Sequence, residues 1–170
     1  MEAKVVEILE ANRIMAIGTV RPDGWPQTTI VGYAHKGTLL YFAISRSGQK
    51  FANIENDNRV SIAIGRDFHD PKSIKGLSMA AHSSEVTDPD QRKEALRMLL
   101  RQHPGLGRLD DFSLDRSAVM RAAPALITII DYSKGFGHSD VLTVGPGGMT
   151  AMTAERDDDW GFGESLKPLS

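Results

Sequence analysis

Apolar residues in this chain come mostly in short runs separated by turn-forming residues, with a few stretches of helical spacing set among them. Val5, Val6, Ile8 and Leu9 recur at helical intervals between Glu2 and Asn12, the spacing of a short surface helix with one buried stripe. Ile14 to Val20 is apolar and partly β-branched, Pro22-Asp23-Gly24 is turn chemistry, and Gln27 to Ala34 resumes an extended pattern, which together predict a hairpin. His35-Lys36-Gly37 turns the chain into a further strand, Thr38 to Ile44. Gln49 to Glu55 reads as a brief helix ended by Asn56-Asp57-Asn58, and Val60 to Ile64 and Lys75 to Val86 are two more strand candidates.

Asp88-Pro89 is a helix start, with Asp as N-cap and Pro in the first turn. Leu96, Leu99 and Leu100 then form one apolar face until His103-Pro104-Gly105 ends it. Leu106 to Ala123 reads as a loop with a second helix around Ser117 to Arg121, after which Pro124 introduces a strand from Ala125 to Tyr132 and Phe136 to Val144 returns as its partner. Beyond Gly145-Pro146-Gly147-Gly148 the composition shifts to Gly, Asp and Ser, so residues 1–148 are expected to form the folded domain and 149–170 a tail. Trp160 and Phe162, set among glycines, suggest that this tail docks somewhere. Short strands joined by turns, without sustained βαβ alternation, predict a mainly β fold with inserted helices (α+β), an antiparallel barrel-like sheet.

Composition narrows the chemistry more than the fold. A chain of 170 residues is one domain by size, and 20 basic against 22 acidic side chains leave no nucleic-acid footprint. Cysteine is absent, which removes disulfides, iron–sulfur clusters and thiolate catalysis. The five histidines, at 35, 69, 82, 103 and 138, fall at no metal-ligand spacing, and no Gly-x-Ser-x-Gly elbow supports a hydrolase. With no signal-peptide pattern and no apolar run of membrane-spanning length, the expectation is a soluble, cytoplasmic protein without nucleic-acid or membrane partners.

One segment concentrates candidate chemistry. Ser45-Arg46-Ser47-Gly48-Gln49-Lys50 follows the apolar run ending at Ile44 and leads into the helix containing Phe51-Ala52-Asn53-Ile54. Free backbone N–H groups, two hydroxyls and two cations at one helix start outline an anion pocket. The local spacing alone favours a polar loop capped by Ser47, since short phosphate-loop patterns are common by chance. Lys50 tips the comparison somewhat, because a cation in the first helical turn opposes the helix dipole unless an anion sits beside it.

The order Thr19-Val20, Asp23-Gly24, Pro26, Gln27-Thr28-Thr29, then Lys50, Asn53-Ile54 and Asn58-Arg59-Val60 resembles the pyridoxamine 5′-phosphate oxidase-like family of FMN-binding split β-barrels, with the match running from about Arg13 to Val86. The resemblance implies a homodimeric FMN-dependent oxidoreductase with flavin at the subunit interface and a small-molecule electron donor or acceptor. It also implies that Gln27, Thr28 and Thr29 line the isoalloxazine edge, that Ile44 and Ser45 lie near the ribityl chain, and that Arg46, Gln49 and Lys50 hold the phosphate. Ser78 would reach the ring from the other side, and Trp160 would fold over the partner's flavin. The family includes members that use the deazaflavin F420, and a non-catalytic flavin- or haem-binding protein is the alternative from a different class. The chain's C-terminal Ser165-Leu166-Lys167-Pro168-Leu169-Ser170 lacks the arginine-containing ending by which true pyridoxamine phosphate oxidases grip their substrate, which argues against vitamin B6.

Overall fold

A computed structural model describes residues 1–135 and 137–152. Helix α1 (Glu2–Glu10) precedes the strands β1 (Ile14–Val20), β2 (Pro26–Gly32), β3 (Ala34–Lys36) and β4 (Leu39–Ser45). Helix α2 (Gln49–Asn56), β5 (Arg59–Gly65), β6 (Lys75–Glu85) and helix α3 (Pro89–Gln102) follow. The remainder is β7 (Ser117–Asp131), β8 (Ser139–Gly145) and β9 (Gly148–Met152). All strand pairs are antiparallel, and the sheet runs in the order β2-β1-β5-β6-β7-β4-β3, with β8 and β9 continuing from β7. Strand β9 therefore carries paired structure past Gly148, where the composition changes. Among the described residues, no helix is long and apolar enough to cross a membrane.

The expected strand from Gln27 to Ala34 is two strands, and the break between them shapes the molecule. β2 pairs with β1 at one edge of the sheet, whereas β3 pairs with β4 at the other, so the segment 26–36 crosses from edge to edge at Tyr33. Tyr33 is fully buried there and donates its hydroxyl proton to the Leu9 carbonyl at 2.8 Å. The preceding Gly32 is needed for space: a Cβ would lie 2.9 Å from the His103 ring, whose Nε2 meets the Tyr33 carbonyl at 3.0 Å.

The second correction concerns residues 117–121, which are the start of the 15-residue strand β7 and not a helix. Ala118, Val119, Met120 and Ala122 are buried between β4 and β6, so tertiary pairing overrides the helix-compatible composition. Pro124 is tolerated inside this strand because it stands at a bulge. Ala81 faces Pro124 while Ala80 faces Leu126, leaving Ala125 as the extra residue, at the point where β7 passes from β4 to β8 on its other edge.

The core lies inside the curled sheet, where Met15, Ile17, Leu40, Phe42, Ile62, Leu77, Met79, Met120 and Ile127 are buried, and α1 covers it with Val5, Ile8 and Leu9. Helix α3 packs outside with Ala95, Leu96 and Leu99 against Ala34, Val86 and Val119. As the sequence predicts, Asp88 caps it, accepting the Gln91 N–H at 2.8 Å.

Lys4 pins α1 to the end of β7 through an ion pair with buried Asp131. Burial alone would raise the Asp131 carboxyl, but hydrogen bonds from Lys4 and Ser133, with the Lys4 charge, outweigh it and hold the pKa at about 2. A carboxylate depressed from an unfolded value of about 3.9 stabilises the fold above that pH and loses its contribution as pH falls toward 2. Lys4→Ala should destabilise the protein by about 1–3 kcal/mol at neutral pH. In acid titrations followed by circular dichroism, Asp131→Asn should flatten part of the loss of stability between about pH 4 and pH 2; acid limbs that superimpose on wild type would refute this role.

Candidate functional site

Strand β3 pairs with β4 only at Leu39–Tyr41, so the lower half of β4 has no strand on that side and faces β2 across an open seam. Helix α2 closes the bottom of this seam, sending Ile54 and Asn53 inward. The result is a groove of about 370 Å³ lined by Thr19, Gln27, Thr29 and Val31 on one side and by Ala43, Ile44, Ser45, Gly48, Gln49 and Lys50 on the other. That volume lies within the roughly 300–1,000 Å³ of small-molecule sites.

The lower end of the groove has the chemistry of an anion site. Gly48 is the N-cap of α2 with no side-chain cap, so Ser47 does not cap the helix. The Ser47 N–H turns to Ser45 Oγ at 3.3 Å and its hydroxyl meets the same atom at 3.0 Å. The N–H groups of Gln49 and Lys50 have no acceptor among the described residues. Lys50 is half-buried and forms no ion pair among the described residues, and burial pulls its pKa below the usual lysine range. A cation partly desolvated beside two free N–H groups is an arrangement that an anion would complete. Gly48 keeps the turn tight, since a Cβ there would stand 3.3 Å from the Ser45 carbonyl.

The upper part is mixed. Val31, Ala43 and Ile44 supply an apolar wall, and Thr29 Oγ1 is a buried hydroxyl without a hydrogen-bond partner. Beneath the groove, Asn53 is fully buried and donates to Thr19 Oγ1 and to Gln27 Oε1, both at 3.0 Å, while Gln49 Nε2 donates to Asn53 Oδ1 at 2.8 Å.

Of the residues singled out from sequence, Gln27, Thr29, Ile44, Ser45, Gln49 and Lys50 meet in this groove. Thr28 and Ser78 do not. Strand alternation turns Thr28 to the outer face, where it stands beside Gly18, and Ser78 is exposed on the same face of β6. Arg46 leaves the groove as well. Its guanidinium forms a two-point ion pair with Glu85, Nε donates to the Leu114 carbonyl at 2.6 Å, and the group lies 5.4 Å from the Phe51 ring centre. Trp160 lies outside the described residues. Sequence reasoning missed Thr19, Val31, Ala43 and Gly48 as lining residues and Asn53 as the hub beneath them. The signal for Val31 was available in the period-two alternation from Gln27 and Thr29, and Thr19 stands directly opposite Gln27 in the ladder.

The groove can therefore accept a ligand with an anionic end, a polar middle and an apolar face. Solved structures of several proteins share the fold. A haem-binding protein from Mycobacterium smegmatis superposes with a TM-score of 0.71 at 20% identity over 84% of this chain, which spans 58% of that protein. A pyridoxamine 5′-phosphate oxidase-like protein of Listeria innocua gives 0.64 at 18% identity, covering 76% of this chain and 98% of its own. The haem storage protein HutZ of Vibrio cholerae gives 0.59 at 19%, covering 73% and 89% respectively. No curated protein matches the chain. The family profile described as pyridoxamine 5′-phosphate oxidase matches residues 1–130, which include every residue of the groove and the whole sheet as far as β7. The antiparallel split barrel is thus the fold of this group, and the chain belongs to the pyridoxamine 5′-phosphate oxidase-like family.

Proposed function

We propose that this protein is a homodimeric, FMN-dependent oxidoreductase that binds the flavin phosphate at the start of α2. The observation that carries the reading is Lys50, a half-buried cation without an anionic partner among the described residues, set beside the unpaired N–H groups of Gln49 and Lys50. FMN phosphate is a dianion that wants charge-assisted donors, and the apolar wall of Val31, Ala43 and Ile44 suits the flat ring system. Thr29 Oγ1 lacks a partner that a polar ligand edge would provide. Bound FMN would supply reversible hydride chemistry to a small-molecule donor or acceptor, and the chain would supply position, electrostatics and partial exclusion of water.

The outer face of the sheet supports the dimer. The cross-strand row Ile30, Ala16, Ala63 and Ser78, and the neighbouring row Thr28, Gly18, Ser61 and Ala80, make a surface of small and apolar side chains, with Ile14 at 53% and Ile30 at 62% exposed. A second copy covering this face would bury them, and would also put Thr28 and Ser78 within an interface where a partner's flavin could be met. Ile30→Arg should then convert the dimer to monomer in size-exclusion chromatography with light scattering; an unchanged dimer would exclude this face.

The deazaflavin F420 is the nearest alternative within the enzyme class, since its phosphorylated side chain would satisfy the same donors. Haem binding is the reading from a different class, prompted by the haem-binding and haem-storage relatives of the fold, although no histidine lines this groove. An absorption spectrum of the purified protein, with mass spectrometry of the molecule released on denaturation, separates flavin, deazaflavin and a Soret-absorbing haem. NADH or NADPH reduction of the bound flavin separates an enzyme from a binder.

Lys50→Met should weaken FMN binding by about 1.5–3 kcal/mol, the scale of hydrogen bonds to charged groups. Because burial disfavours the ammonium, the same substitution should leave the ligand-free protein at least as stable as wild type. The cationic form binds, so wild-type FMN affinity should fall as pH rises through the Lys50 pKa, which lies below its ordinary 10.5, and this fall should be absent in the variant. Equal dissociation constants for the two proteins in a flavin-fluorescence titration would sink the phosphate assignment.

A further inference from the structure

We infer that Asn53, which does not line the groove, sets which end of two glutamine amides the ligand meets, so that Gln49 offers a carbonyl and Gln27 an amino group to the uncharged part of the ligand. The inference rests on the flavin reading above. Its starting point is a backbone carbonyl, which can only accept. Thr19 donates its one hydroxyl proton to the Gln27 carbonyl at 3.3 Å, so its oxygen is left to accept, and the Asn53 group facing it at 3.0 Å must be the amino end. The second Asn53 N–H then needs an acceptor and finds Gln27 Oε1 at 3.0 Å, while Asn53 Oδ1 needs a donor and finds Gln49 Nε2 at 2.8 Å. Asn53 is 0% exposed, so water cannot substitute for a mismatched partner and reversing one amide would leave buried groups unsatisfied.

The outward ends follow by elimination. Gln27 keeps Nε2 free to donate, and Gln49, with one Nε2 hydrogen held by Asn53, keeps Oε1 free to accept; both residues line the groove. A carbonyl oxygen repels a phosphate oxygen and welcomes a hydroxyl. The Gln49 Oε1, on a side chain expected from the family resemblance to hold the phosphate, therefore takes a hydroxyl donor such as a sugar-alcohol group, and the backbone N–H of position 49 serves the phosphate. The phosphate is left to Lys50 and the free N–H groups of the helix start.

Riboflavin, which has the ring and ribityl chain without the phosphate, separates these roles from each other. FMN and riboflavin are titrated by fluorescence quenching against wild type, Lys50→Met, Gln49→Leu and Asn53→Leu, with thermal melts confirming folding. Lys50→Met should penalise FMN alone. Gln49→Leu should weaken both ligands by the same factor, about tenfold for one lost hydrogen bond, leaving the FMN-to-riboflavin preference unchanged. Asn53→Leu frees Gln49 to turn its amino end to the phosphate, so riboflavin should lose more affinity than FMN and the preference for FMN should rise. A merely structural Asn53 would lower both affinities equally, and that result overturns the inference. So does a Gln49→Leu effect confined to FMN, which decides the question even if Asn53→Leu fails to fold. Wild type binding neither flavin overturns the proposed function instead.

Discussion

The organising constraint of this molecule is that β2 and β4 face each other without pairing. A sheet this strongly curled tends to close, since every free edge leaves backbone donors and acceptors unmet. Here closure is achieved only in part, by the short β3, which carries the chain from one edge of the sheet to the other and pairs with β4 at three positions. Below Tyr41 the seam stays open, and the groove is that opening. Tyr33, Gly32 and His103 hold the crossing point between the two edges that frame the groove.

The second dependence is electrostatic. Burying part of Lys50 without an anion, and leaving the start of α2 uncapped, both cost stability in the ligand-free chain. Elsewhere the protein caps and pairs such groups with care. Asp88 caps α3, Asp131 takes Lys4, and Arg46 takes Glu85 together with the Leu114 carbonyl. The start of α2 differs from these in combining a missing side-chain cap with an unpaired, half-buried cation, a contrast typical of binding sites. The buried amide network beneath the groove shows the opposite tendency, with both Asn53 amide hydrogens and its carbonyl oxygen hydrogen-bonded. Together they describe a pocket with a hydrogen-bonded floor and, at the start of α2, donors without acceptors among the described residues.

Much of this was legible in the chain. The position of α3 between Asp88 and His103 follows from its cap, its leucine spacing and the Pro-Gly stop, all of them local signals. The Ser45–Lys50 segment was legible as a strand, turn and helix start for the same reason. Two elements were misread for one shared reason. Residues 117–121 form a strand because β4 and β6 flank them on both edges, and 26–36 divides because its two halves pair with different neighbours. Neither pairing is visible in a window of a few residues.

The site divides along the same line. By itself the sequence determined the antiparallel class, the positions of α1, α2 and α3 and the cluster of donors around Lys50, because caps, turn residues and alternation act over a few neighbouring positions. Only the tertiary structure decided that Thr28 and Ser78 face outward, that Arg46 is committed to Glu85, and that Asn53 joins Thr19, Gln27 and Gln49 under one groove. Those outcomes depend on register and on contacts between residues as far apart as Arg46 and Leu114, which no local spacing encodes. Hydrogen-bond polarity is decided later still, since an amide has two faces and only a closed network tells it which one to show.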